Sequence, residues 1–104
     1  MTSDDTGAPR RYEVTVHGRV QGVGFRWFVR SVAERLGLVG WVANDPSGSV
    51  RVVAEGDRAS LDELVRLLRE GPSGAKVQRV DTESGAARGS YRKFEIRSGG
   101  HSGD

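Results

Sequence analysis

An α+β domain of order β-α-β-β-α-β, with one extra short strand at its end, is predicted by three patterns in the sequence. Apolar residues recur at helical spacing twice, over 25–36 and over 61–68. Short alternating stretches rich in β-branched residues flank both helical segments. The two middle stretches are separated only by Asp45-Pro46-Ser47-Gly48, a turn that makes them a hairpin and hence antiparallel.

Each element follows from its own residues. Residues 1–10 are small, polar and proline-bearing, and read as a disordered arm ahead of a folded unit over 11–97. The first strand, 11–17, alternates Tyr12, Val14 and Val16 against Glu13, Thr15 and His17. After a glycine-bearing loop, Phe25, Phe28, Val29, Val32, Ala33 and Leu36 form one apolar helical stripe, which Gly37 ends. Strands follow at 38–44 and 49–55, the second with Val50, Val52 and Ala54 on one face. A second helix begins at Asp57 or at Ser60, where Ser60-x-x-Glu63 resembles a capping box. It buries Leu61, Leu64, Val65 and Leu68 and stops at Gly71-Pro72. In the strand at 76–82, Val77 and Val80 break the alternation, which predicts a bulge or a slipped boundary. Gly85–Ser90 reads as a loop, Tyr91–Arg97 as the last strand, and 98–104 as a disordered polar tail. This is the ferredoxin-like, split β-α-β arrangement. Right-handed crossovers place both helices on one face of a mainly antiparallel sheet.

Composition narrows the function. The chain has 104 residues, enough for one modest core. Its charge of +2 comes from basic residues that are scattered, which argues against a nucleic-acid or membrane patch. With no cysteine and two histidines, it offers no thiol nucleophile, disulfide or zinc-thiolate set, so no protein-bound transition metal is expected. The N-terminus lacks a basic and apolar leader pattern and no apolar run reaches membrane-spanning length, so a cytoplasmic monomer is the expectation.

The chemistry gathers at His17-Gly18-Arg19-Val20-Gln21-Gly22-Val23-Gly24-Phe25-Arg26, between the first strand and the first helix. The first N–H groups of a helix lack internal partners, and its dipole favours negative charge. No Ser, Thr, Asp or Asn stands before Phe25 to cap them, and Arg26 adds a cation where the dipole alone disfavours one. An oxyanion between the two explains both; an ordinary surface loop is the bland reading. Asn44, ending the second strand, can face the same cavity or serve only the turn. Gly22-x-Gly24 is not a dinucleotide fingerprint, since Trp27 replaces the third glycine, and no Gly-Lys-Ser/Thr makes a Walker loop.

Together these motifs resemble the acylphosphatase family. Its first motif matches Gly18-Arg19-Val20-Gln21-Gly22-Val23-Gly24-Phe25-Arg26, and its second matches Gly40-Trp41-Val42-Ala43-Asn44, with Gly48, Val50 and Gly56. Ala43 departs from the basic residue often found there, and Asp45 places an acid beside the site. The resemblance implies hydrolysis of an acyl phosphate to a carboxylate and inorganic phosphate, without metal or cofactor. It further implies that Arg26 and the backbone amides of Gly18, Arg19, Val20, Gln21, Gly22 and Val23 hold the phosphate, while Asn44 positions the water. The chemistry is consistent, because a carboxylate of pKa about 4 leaves without a general acid. His17 matches no catalytic position, and Trp41, Phe25 and Phe28 read as core, with Trp27 off the stripe at the surface.

Three rivals remain at this stage. Acylphosphatase-like domains also lead large hydrogenase-maturation carbamoyltransferases, which continue into cysteine-rich segments absent from these 104 residues. An RNA-binding module would want aromatics on the central strands, and 49–55 has none. A non-catalytic phosphate-binding domain is the third.

Overall fold

The computed structural model describes residues 7–98, so most of the N-terminal arm and nearly all of the C-terminal tail lie outside the described residues. Strand β1 (Arg10–Arg19) buries Tyr12, Val14 and Val16 on one face, as its alternation requires. Helix α1 (Phe25–Arg35) and helix α2 (Arg58–Glu70) pack their stripes onto that same face. Between them run β2 (Val39–Asn44) and β3 (Val50–Gly56), and after them β4 (Lys76–Ala86) and β5 (Phe94–Arg97). The strand order is β4-β1-β3-β2-β5. Each neighbouring pair among the first four is antiparallel, and β5 joins parallel to β2, pairing Gly40 with Phe94 and Ala43 with Arg97. One apolar cluster, including Val16, Val42, Val52, Phe94, Phe25, Val29, Leu61 and Leu68, fills the space between sheet and helices. This is the predicted α+β architecture. None of the helices among the described residues is long and apolar enough to cross a membrane.

Boundaries shift where partners outweigh local pattern. The bulge expected near Val77 is present: His17 pairs with Arg79 but Gly18 with Val77, so Gln78 is the extra residue and both valines turn inward. Beyond it β4 continues to Ala86, because the long β1 supplies a full antiparallel partner, and Gly85 is strand rather than loop. Helix α2 starts from Asp57, whose carboxylate accepts the Ser60 N–H at 2.7 Å, so Ser60 lies inside the helix.

The face away from the helices holds two surprises. Alternation along β2 sends Val42 into the core and Trp41 to the other side, so Trp41 is not a core residue. Its indole N–H donates to the Tyr91 hydroxyl at 3.2 Å, and the Arg97 guanidinium lies 5.1 Å from its ring centre. Phe25 is buried and Phe28 packs against the core as expected. Arg11 and Glu55 are both buried and bonded at 3.0 Å, under a loop whose Arg88 and Gly89 amides also reach Glu55. Tyr91 belongs to this covering loop, and β5 begins only at Phe94.

Candidate active site

Helix α1 opens on Gly24, whose φ of +78° suits a residue without Cβ, and no side chain caps the helix. No acidic residue occupies its first turn. Gly22 has φ +77°, and a Cβ built on either glycine would meet no heavy atom within 4 Å. Both glycines line a cavity of about 120 Å³, together with Val20, Phe25, Arg26, Trp27 and Asn44. The loop, the helix start and the end of β2 thus converge there.

Arg26 and Asn44 reach this cavity by different routes. Arg26 lies in the first turn of α1 and donates from Nη1 to the carbonyl of Arg97, at 3.1 Å, at the end of β5. The extra strand therefore supplies an oxygen that orients the guanidinium. Asn44 shares the helix-covered face of β2 with Val42 by alternation, and pairs with Val50. Asn44 lines the cavity from the end of β2, whereas Arg26 lines it from α1.

The residues between Gly18 and Val23 do not act alike. Gly18 and Arg19 belong to β1, and a Cβ on Gly18 would fall on the Lys76 carbonyl of β4, so this glycine is needed by the bulged sheet. Both border a separate groove with His17, Ser47 and Gln78. Val20 is buried in the core and Val23 packs against it, which anchors the loop at both ends. Gln21 uses its side chain: Nε2 donates to the carbonyls of Asp45, at 2.8 Å, and Ser49, at 2.9 Å. That bracket ties the glycine loop to the turn directly after Asn44. Sequence reasoning gave Gln21 only a backbone role; its place inside the first motif was the available signal.

The two departures from the family pattern are also placed. Asp45 accepts the Ser47 N–H at 3.0 Å, and hydrogen bonds from Ser47 hold its carboxyl below the usual range. It is absorbed into the turn and borders a neighbouring groove of about 410 Å³ with Trp41, Ala43, Arg51 and Arg97. Ala43 pairs with Arg51 on one side and Arg97 on the other, so cations flank the position that lacks one. His17 sits outside the cavity and bonds Asp81 at 3.0 Å. Among the described residues no cluster of His, Cys, Asp or Glu could hold a metal ion.

A ferredoxin-like sheet with a small cavity at an uncapped helix start defines the class: a small α+β domain with both helices on one face of its sheet. The particular family follows from comparison. The family model for acylphosphatases matches residues 12–96. An acylphosphatase of Rubrobacter xylanophilus is 51% identical over 88 residues, covering 85% of this chain and 80% of that one. The solved structure of an acylphosphatase from Coxiella burnetii superposes with a TM-score of 0.83 at 42% identity, covering 93% of this chain and all (100%) of the other. Full-length HypF, in a phosphate- and nucleotide-bound form, contains a domain of TM-score 0.80 at 28% identity, but this chain spans only 12% of it. The chain belongs to the acylphosphatase family.

Proposed function

We propose that the chain hydrolyses acyl phosphates with the phosphoryl group seated in the cavity at the start of α1. The supporting observation is that one phosphate-sized space is lined at once by Gly22, Gly24, Arg26 and Asn44. In this reading the Arg26 guanidinium and the amides of the 20–23 loop bind the equatorial oxygens, which carry the charge in the transition state; Gly18 and Arg19, paired in β1, fall outside that cradle. The carboxamide oxygen of Asn44 accepts a hydrogen bond from the attacking water and aligns it.

The water oxygen forms a bond to phosphorus as the bond from phosphorus to the acyl oxygen breaks. The electron pair leaves on a carboxylate, and both protons of the water end on the product, as dihydrogen phosphate. Nothing in that balance requires a general acid, because the leaving carboxylate is a weak base. The unit that does this is residues 11–97, which contain every residue assigned to the site. A cytoplasmic setting is compatible with a fold that uses no cysteine.

The test is hydrolysis of an acyl phosphate with inorganic phosphate as competitor. Turnover should survive EDTA, phosphate should inhibit competitively, and a hundredfold excess of phosphate over its Kd should stabilise the fold by about 2.7 kcal/mol. Activity that is lost to chelation and restored by a metal would overturn the mechanism.

A further inference from the structure

We propose that Trp27 is the platform for the acyl half of the substrate, and that it favours flat, apolar acyl groups. The proposal rests on seating the phosphoryl group in the cavity, as above, and extends that reading to the leaving group. Trp27 is 66% exposed, the one large hydrophobic side chain so placed among the described residues. It stands two positions after the buried Phe25, roughly 200° around the helix, where patterning calls for a polar residue. Yet it lines the same cavity as Arg26 and Asn44.

Two constraints send the acyl group toward it. A cavity of about 120 Å³ is largely filled by a phosphoryl group, so an acyl group as large as benzoyl must cross the rim. Attacking and leaving oxygens also lie roughly in line across phosphorus. Asn44, assigned to the water, belongs to the sheet beneath α1, so the leaving oxygen points away from the sheet, toward the solvent side of α1 where Trp27 stands. The larger groove of Trp41, Arg51 and Arg97 shares Asn44, the water's residue, with the cavity, but neither Arg26 nor the glycine loop. The indole is also held: the Arg30 guanidinium sits 5.5 Å from its ring centre, and Arg30 bonds Glu34 at 3.2 Å. One ring face carries that cation, and the exposure leaves ring surface for stacking.

The experiment compares benzoyl phosphate with acetyl phosphate on the full chain and on Trp27→Ala, Trp27→Phe and Trp41→Ala. The ratio of KM for benzoyl over acetyl phosphate should rise about two- to tenfold in Trp27→Ala, the range of one aromatic stack. Phenylalanine should restore most of the preference, and Trp41→Ala should leave the ratio alone. Inhibition by inorganic phosphate reports that each variant is folded. An unchanged ratio in Trp27→Ala, or a ratio that follows Trp41, overturns the platform while leaving the phosphoryl site intact. A wild-type chain that hydrolyses neither substrate overturns the phosphoryl site and the platform together.

Discussion

Arg11, on the open face of the sheet, and Arg26, in the first turn of α1, are one side chain in two environments. Arg11 is buried and meets Glu13 and Glu55, each at 3.0 Å, with Tyr91 at 3.4 Å. Glu55 in turn receives three donors: the Arg11 guanidinium and the amides of Arg88 and Gly89. Among the described residues no buried side-chain polar atom lacks a partner. Arg26 instead borders a cavity and is steadied by a carbonyl from β5. A closed network is complete without a ligand and serves the fold. An arginine that borders a space of anion size is, in the function proposed above, the one that serves chemistry. The contrast separates a structural charge from a functional one by what surrounds it, since the residue type is the same.

The comparison breaks most visibly at Arg26. Arg26→Ala should cost at least about a thousandfold in turnover, roughly 4 kcal/mol of transition-state stabilisation, and should weaken phosphate binding. Lysine should rescue little, lacking the planar fork. Melting temperature should hardly move, and steady-state kinetics beside a thermal melt check both halves. Near-normal turnover would remove Arg26 from the site.

Glu55 should show the reverse. Glu55→Ala leaves Arg11 short of its buried partner, which costs about 3 kcal/mol of stability and lowers Tm by about 10 °C or more. Turnover at a temperature where the variant is folded should stay near wild type. A stable but inactive Glu55→Ala would erase the distinction drawn between the two regions.

Acid sharpens the same point. Burial pushes the Glu55 carboxyl up, but the amides of Arg88 and Gly89 and the Arg11 guanidinium outweigh it and hold the group below its ordinary 4.5. A depressed value means the folded state favours the carboxylate, so this stabilisation is complete above about pH 4.5 and fades as pH falls through the native value. Asp45, Asp57 and Glu63 are depressed too, but they are exposed and contribute little. Melts between pH 6 and pH 3, about the range of carboxylate titration, should fall less steeply in Glu55→Gln than in wild type. Parallel curves would place the acid sensitivity elsewhere.

A smaller loss of turnover than at Arg26 is expected for the Gln21 side chain, which touches neither water nor phosphate. Gln21→Ala unfastens the loop from the Asp45 turn and should lower turnover by up to about a hundredfold, because small misplacements are costly. Glutamate in its place cannot donate to two carbonyls and should not rescue. A Gln21→Ala variant with full turnover would show that the loop holds its shape unaided.

What could be read from the sequence was what neighbours along the chain decide. The stripes of α1 and α2, the hairpin turn, the uncapped start at Gly24 and the disturbance between Val77 and Val80 all depend on residues a few positions apart. Asn44 and Arg26 could be brought near one another in advance because the return of α1 to the sheet lets β2 end near the helix start, and both line one cavity. Contacts across long separations were not legible. The Gln21 bracket, the Arg97 carbonyl behind Arg26 and the burial of Glu55 under Arg88 and Gly89 each require knowing which distant strands and loops meet. Trp41 was misplaced for a related reason. A large aromatic reads as core until the register of β2 shows that Val42 has taken the inward side.

The central claim is that Arg26 binds while Asn44 aligns water, and one variant tests it most directly. In Asn44→Ala, turnover and the inhibition constant of inorganic phosphate should be measured on the same preparation. Turnover should fall by about a hundredfold or more, the scale of one preorganised polar group, while phosphate inhibits as it does in wild type. Melting temperature should stay close to wild type, which separates lost alignment from a loosened β2–β3 hairpin. Normal turnover in Asn44→Ala, or phosphate affinity that falls together with turnover, would contradict the division of labour between the two residues.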